Sequence, residues 1–429
     1  MSWTSVTDKD RQDMLDTIGV SSIDDLFSTI PESLRLKSWD VPEGISEMAT
    51  LARLNHLAAK NSVSDISFMG GGFYDHYIPA AVDALSMRSE FYTAYTPYQP
   101  ECAQGTLQCI YEYQSAICRL TNMEFANASL YEGGTAVFEA ATMSMRIKKN
   151  RTRIVCHSSL NPSYRAILES HSANLDMDII DGDDPTDAAC VIVQNPAFDG
   201  SVRDFTELGE ACREAGALLV VSFHPISLGL LKTPGEMGAD IAIAEGQSLG
   251  IPLGFGGPYL GILATLKKHV RKMPGRIAGE TVDGVGRRGF VLTLQAREQH
   301  IRREKAMSNI CSNQALCALR ALIFMSLLGK DGLVDVATHC HAKAEYLKSK
   351  LDFAEILNDS PTFNEFTVRL QKDAKEVVQL LSAEGFQAGI PLSDLNCGGS
   401  NDLLIAVTEK RTRADLDAFA QALETASCS

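Results

Sequence analysis

The sequence lacks the features that would place it in a membrane or in an oxidising compartment. It has no run of about 18 uncharged apolar residues, and residues 1–10 have no apolar core of a signal peptide. Its eleven cysteines include no C-x-x-C pair and are odd in number, which disfavours a disulfide framework and a zinc site. We therefore expect a soluble, cytoplasmic protein with reduced thiols and no metal.

Positive charge is also scarce. The 429 residues carry a net charge of −15, whereas nucleic acids and anionic membranes bind basic surfaces. Neither partner is expected, although local basic surfaces are compatible with this total. The composition, 45% hydrophobic and 22% charged, is that of a globular protein with roughly two or three domains.

The pattern along the chain predicts three regions. Residues 1–60 predict short helices that cannot form a core, and we expect an arm packed on a larger body or on a neighbouring subunit. Residues 61–330 alternate apolar strands with amphipathic helices, which predicts a large doubly wound α/β domain with a mostly parallel sheet. After a break at 329–332, residues 331–429 predict a small C-terminal α+β domain.

Two Gly-containing segments are candidate cofactor sites. The loop 245–261 is rich in glycine and proline, and residues without Cβ let a ligand approach the backbone closely. Gly133, Gly134 and Thr135 begin a predicted helix, where backbone N–H groups favour phosphate. A turn capped by Thr135 is the favoured alternative at that helix, because Glu132 would repel a phosphate.

Histidines and a charged run allow further alternatives. His157 and His224 each follow a predicted strand, and His157 could stack on a planar cofactor, but a hydrogen-bonded histidine at a strand end is the favoured interpretation of either. The mixed-sign run 297–305 favours a solvated or ion-paired helix face, with a subunit contact as the sharper alternative. Segment 90–101 has three tyrosines and two prolines, a composition typical of binding loops.

Four segments, 90–101, 127–133, 256–261 and 295–305, carry a family resemblance. They closely resemble the P-protein of the glycine cleavage system, and within that family the N-terminal-half chain of the two-chain form. The resemblance extends over essentially the whole chain. It implies the fold of pyridoxal-phosphate (PLP) dependent transferases, aspartate-aminotransferase-like and fold type I, with a large doubly wound domain and a small α+β domain.

The chemistry of such enzymes needs a lysine that forms an imine with PLP and an acid that holds the pyridinium N–H. The resemblance puts the acid at the end of the strand 218–222 and the lysine in the loop after the next strand. This chain has Phe223 and His224 at the first place, and Gln247 and Ser248 at the second. A histidine is no anionic partner, and neither Gln nor Ser forms an imine. We therefore expect a relic cofactor pocket without PLP, formed by Gly133, Gly134, Thr135, His157 and His224.

The resemblance also implies the assembly. PLP belongs to a homologous partner chain, subunit 2, in a heterotetramer with two chains of each kind. The complex decarboxylates glycine, releases CO2 and transfers the aminomethyl group to the lipoyl arm of H-protein. Because sites of this fold borrow residues from the neighbouring subunit, we hypothesise that Tyr95 and Tyr98 reach the partner's PLP pocket.

Two alternatives stay open at this point. The chain could be a scaffold that contributes no catalytic contact, or a self-sufficient PLP decarboxylase or lyase that uses another lysine. Lys232 comes before the intervening strand, while Lys267 and Lys268 follow the next strand at a predicted helix start. None of the three stands where the imine requires it.

Overall fold

The computed structural model describes residues 5–61, 65–92 and 95–428. Residues 1–4 of the predicted arm and 93–94 of the aromatic segment lie outside the described residues. The chain divides into two compact units, Met1–Val63 and Ser64–Ser429. None of the described helices combines the length and apolarity needed to cross a membrane.

The first unit contains short helices, as expected from the sequence. Helix α1 (Asp8–Ile18) begins with a capping box between Thr7 and Asp10, and Gly19 ends it with φ 86°. Two 3-10 turns and α2 (Glu47–Ala58) follow. Among the described residues of this unit only Leu15 is buried, which fits the expectation that the region forms no core.

The second unit holds all the described strands and the remaining helices. The strands are β1 (Ile66–Ser67), β2 (Phe125–Ala126), β3 (Arg153–Cys156), β4 (Asp178–Asp181), β5 (Ala188–Asn195), β6 (Leu218–Phe223), β7 (Ile241–Glu245), β8 (Gly261–Thr265), β9 (Ile277–Val282), β10 (Arg288–Thr293), β11 (Glu355–Ile356), β12 (Glu365–Arg369), β13 (Phe386–Gln387), β14 (Ile390–Pro391) and β15 (Asp402–Ala406). The helices are α3 (Ala80–Ser86), α4 (Ser89–Tyr92), α5 (Gln104–Thr121), α6 (Gly133–Ile147), α7 (Pro162–Ser172), α8 (Thr206–Ala215), α9 (Gln299–Arg302), α10 (Ala315–Lys348), α11 (Ala374–Ala383) and α12 (Arg413–Cys428).

A seven-stranded sheet forms the centre of this unit, in the order β2-β8-β7-β6-β5-β3-β4. Strands β3 to β7 are parallel, while β8 and β2 join antiparallel at one edge. Along β5, Val191 and Val193 belong to one hydrophobic cluster, and Cys190 and Ile192 belong to another. Since alternate side chains leave opposite faces of a strand, both faces are covered, as the continuous apolar strands predict.

A smaller antiparallel sheet, β11-β12-β15-β14, lies among the C-terminal elements. The boundary predicted at residue 330 falls inside α10, which kinks at Gly329 with φ 61°. The division into three regions stays a prediction. Strands β9 and β10 form an antiparallel hairpin, and Leu130 makes a single antiparallel bridge to Gly261 next to Ser129, which has φ 140°.

Candidate functional site

The carboxyl ends of β5, β6 and β7 surround a small pocket, here called the strand-end pocket. Its volume is about 30 Å³, and its lining consists of Gly72, Tyr74, Tyr164, Gln194, Pro196, Ser222, Phe223, His224 and Glu245. One water needs roughly 10–15 Å³, whereas ligand pockets usually span roughly 300–1,000 Å³. Side chains of the protein itself therefore fill most of the place where a doubly wound domain binds its ligand.

Gln247 holds the loop after β7 against the segment around Tyr74. Its Oε1 accepts the N–H of Tyr74 at 2.8 Å, and its Nε2 donates to the carbonyls of Tyr74 at 3.1 Å and Ile251 at 2.8 Å. The side chain is buried, and so is the neighbouring Ser248. Each polar atom of the Gln247 amide has a protein partner, so this side chain closes the pocket and leaves nothing for a ligand.

His224, directly after β6, is packed between aromatic rings. Its ring centre lies 4.3 Å from that of Tyr74 and 5.8 Å from that of His76. Both ring nitrogens are buried and have no hydrogen-bond partner in the described part of the chain. Burial lowers the pKa of His224 well below its usual value, with the nearby His76 adding to the effect, so the imidazole is neutral.

Glu245 accepts hydrogen bonds from three backbone N–H groups at the pocket. Its carboxylate accepts the N–H groups of Gly133 at 2.9 Å, Gln247 at 2.8 Å and Leu260 at 3.2 Å. Burial raises the pKa of Glu245 to about 8, against the lowering effect of these three bonds. Sequence reasoning missed this role. The available signal was an acid directly after the apolar run 241–244, where a buried acid is rare unless it is hydrogen-bonded.

Glu365, a second buried acid, connects the smaller sheet to the same pocket. It accepts the N–H of Gly71 at 2.7 Å and the hydroxyl of Tyr74 at 2.9 Å. Burial raises the pKa of Glu365 to about 7. Nearly 300 residues separate Glu365 from Tyr74 in the chain, and no local pattern in the sequence predicts the contact.

The start of α6 uses protein carboxylates where an anion would bind. The Glu132 side chain accepts the N–H of Thr135 at 2.6 Å and also bonds the Thr135 hydroxyl, while Glu245 takes the N–H of Gly133. A Cβ at Gly133 would collide with the Tyr164 hydroxyl. The favoured alternative of a capped turn is thus present, with the roles changed: Glu132, and not Thr135, supplies the capping oxygen.

A model of the glycine cleavage system P-protein family matches residues 1–423. The chain belongs to this family. It is 53% identical to a protein of Geotalea daltonii named "Probable glycine dehydrogenase (decarboxylating) subunit 1", over 99% of both chains. It is 53% identical, over the full length of both, to the protein of that name from Citrifermentans bemidjiense.

Solved structures support the same family assignment. The crystal structure of an inhibitor-bound glycine decarboxylase (P-protein) of the glycine cleavage system superposes with a TM-score of 0.90 at 40% identity, covering 99% of this chain and all of the other. The cysteine desulfurase of Thermococcus onnurineus has a TM-score of 0.63 at 16% identity, over 85% of this chain and 95% of the other. The expected PLP-dependent transferase fold, fold type I, is confirmed.

This P-protein family chain does not offer the residues that hold PLP in such a fold. No lysine occurs among the described residues that line the strand-end pocket. The acid expected at the end of β6 is replaced by the neutral His224. Gln247 and Ser248 occupy the loop after β7, and the Tyr74 ring lies tilted against His224 in the pocket lining. PLP does not fit these side chains as they are arranged.

The remaining candidate residues lie apart from the strand-end pocket lining. His157 is half-buried, its Nδ1 bonds the Ser159 hydroxyl at 2.9 Å, and its ring meets Phe205 edge-on. Tyr95 is 76% exposed and Tyr98 is 49% exposed. Both tyrosines are thus available at the surface.

Tyr98 is held by two basic residues. Its hydroxyl accepts from Arg276 Nη2 at 3.2 Å, and the guanidinium lies 5.4 Å from the ring centre. The His300 ring meets it edge-on with ring centres 5.7 Å apart. The tyrosine ring is therefore fixed while about half of the residue stays accessible.

Three residues whose side chains can ligate metals lie together next to His224. Ligand atoms of His76, Cys340 and Glu409 lie within 4.8 Å of one another. Glu409 bonds His76 Nδ1 at 2.7 Å and the Cys340 thiol at 3.4 Å, and these bonds account for the grouping. The absence of a metal stays a prediction.

Proposed function

We propose that this chain is the subunit of glycine decarboxylase that holds no PLP. A homologous subunit 2 carries PLP on its lysine, and the complex decarboxylates glycine, releases CO2 and transfers the aminomethyl group to the lipoyl arm of H-protein. The names of the full-length relatives from Geotalea daltonii and Citrifermentans bemidjiense support this role, as does the similarity to a glycine decarboxylase structure.

The proposal that the partner subunit, and not this chain, holds PLP rests on one observation. This observation is the set of contacts that Gln247 makes in the loop after β7. An enzyme of this fold needs a lysine there, and Gln247 instead bonds three backbone groups of its own chain. A side chain used in this way stabilises a closed pocket. We therefore propose that the chemistry of the family takes place in the partner subunit.

A self-sufficient PLP enzyme is the weaker candidate. Lys232 bonds Asp204 at 3.0 Å and the Thr206 hydroxyl, and Lys268 pairs with Asp240 at 2.9 Å. These lysines have other partners, and none of them lines the strand-end pocket. A scaffold without catalytic contacts differs from our proposal only at Tyr95 and Tyr98, which we propose to reach the partner's active site.

An omission experiment tests the proposal. Glycine/CO2 exchange is measured with H-protein, PLP and both subunits, and then with each subunit left out in turn. We expect exchange only when both subunits are present. Exchange by this chain without the lysine-bearing subunit would overturn the proposal, as would full exchange in the absence of this chain.

A further inference from the structure

The mixed-sign run 297–305 does not form one helix face. A 3-10 turn (Gln295–Arg297), the short α9 and a second 3-10 turn (Arg303–Lys305) follow one another, and Arg303 has φ 53°. This arrangement brings Arg297, Arg302 and Lys305 together with Arg271 around a cavity of about 330 Å³. We call this cavity the basic pocket.

Arg297 is the buried member of the basic pocket. Its side chain is 8% exposed. Its Nε donates to the Leu294 carbonyl at 3.0 Å and its Nη2 to the Gly275 carbonyl at 2.9 Å, while Nη1 is buried with no partner among the described residues. A buried donor without an acceptor is costly. The Arg297 guanidinium is thus fixed in place at the wall of the basic pocket.

The positive charges of the basic pocket are poorly balanced by the protein. Arg271, Arg302 and Lys305 have no carboxylate within ion-pair distance in the ranges that the structure describes, and Glu298 lies 3.8 Å from Arg297 Nη2. Burial raises the pKa of Glu298. Four cations around one cavity repel one another, and a bound anion would relieve that repulsion.

We propose that the basic pocket binds a small anion of the phosphate class that carries at least two negative charges. The guanidinium groups of Arg271, Arg297 and Arg302 and the ammonium group of Lys305 supply the positive charge around the anion. Guanidinium groups match phosphate oxygens in geometry as well as charge. The volume falls within the range of roughly 300–1,000 Å³ of ligand pockets. This site is separate from the strand-end pocket and independent of the proposed function.

Calorimetric titration of the full-length chain with pyrophosphate tests this proposal. The test variant carries Arg271→Gln and Lys305→Gln, two exposed residues without hydrogen bonds or ion pairs of their own in the described structure. We expect saturable one-to-one binding by the wild type and an affinity at least about tenfold lower in the variant. Acetate, with one charge, should bind far more weakly than pyrophosphate.

The matched control carries Lys149→Gln and Lys350→Gln, which remove the same charge from exposed positions outside the basic pocket. The control should bind pyrophosphate within about twofold of the wild type, and added salt should weaken wild-type binding. Equal binding by the test variant and the wild type would overturn the proposal. Absence of saturable binding by the wild type, or an equal loss in the control, would overturn it too.

Discussion

The strand-end pocket and the surface around Tyr98 differ in where their polar groups find partners. In the pocket, Gln247 and Glu245 bond the protein's own backbone, and about 30 Å³ remains. At the surface, Tyr98 is held by Arg276 and stays half exposed. The comparison teaches that the strand-end pocket is part of the core, while the exposed groups around Tyr98 lie outside it.

The largest effect is expected from Glu245→Leu. This change leaves three buried N–H groups without an acceptor, at about 1–3 kcal/mol each. We expect the free energy of unfolding, measured in urea, to fall by about 3–6 kcal/mol. Glu304→Leu, at an exposed position, should change it by less than about 0.5 kcal/mol. Similar stability in the two variants would mean that Glu245 does not hold the pocket closed.

Gln247→Lys asks whether the lysine alone restores a cofactor site. After the variant is mixed with PLP and free PLP is removed by gel filtration, we expect no protein-bound visible absorption, because Tyr74 and His224 fill the space and the acid after β6 is missing. Loss of the three amide bonds and burial of a charge should lower the free energy of unfolding by about 2–4 kcal/mol. A visible chromophore that borohydride reduces would show that the pocket is open enough for PLP.

Replacing both Tyr95 and Tyr98 with Phe tests the role of the exposed surface around Tyr98. If these hydroxyls reach the partner's site, turnover of the assembled complex falls several-fold while the complex stays intact in size-exclusion chromatography. Tyr77→Phe, at another exposed tyrosine, serves as the control and should keep wild-type turnover. Unchanged decarboxylation kinetics in the double variant would favour the scaffold alternative.

A pH dependence of the free energy of unfolding also follows from Glu245. The folded-state pKa of Glu245 is raised to about 8 from an ordinary value of 4.5, so the folded protein holds a proton that the unfolded chain releases. The contribution of Glu245 to stability is full below pH 4.5 and is lost as the pH rises towards 8. Wild type should therefore lose stability relative to Glu245→Gln across this window. Parallel stability curves in urea would contradict the raised pKa.

Local patterns predicted much of the fold, and the family resemblance implied the missing lysine. Continuous apolar runs such as Val191–Val193 are enough to indicate buried parallel strands, because covering both faces leaves no polar side. The replacement of lysine by Gln247 and Ser248 is visible in one loop. The hairpin β9–β10 also has a local signal, the Asp283-Gly284 pair that follows directly after β9.

The rest depends on contacts between distant parts of the chain. Glu365 reaches Tyr74 from the other sheet, and Arg271 joins a basic pocket formed mainly by residues about 30 positions later. The number of residues between two positions in the sequence does not predict how close they lie in the fold, because tertiary packing sets that distance.

The most direct test of the central claim is to find which chain carries PLP in the assembled enzyme. The complex of both subunits is saturated with PLP, reduced with borohydride and digested, and the pyridoxyl-lysine peptide is identified by mass spectrometry. We predict that the label lies on the partner subunit alone. A pyridoxyl-lysine in a peptide of this chain would contradict the account.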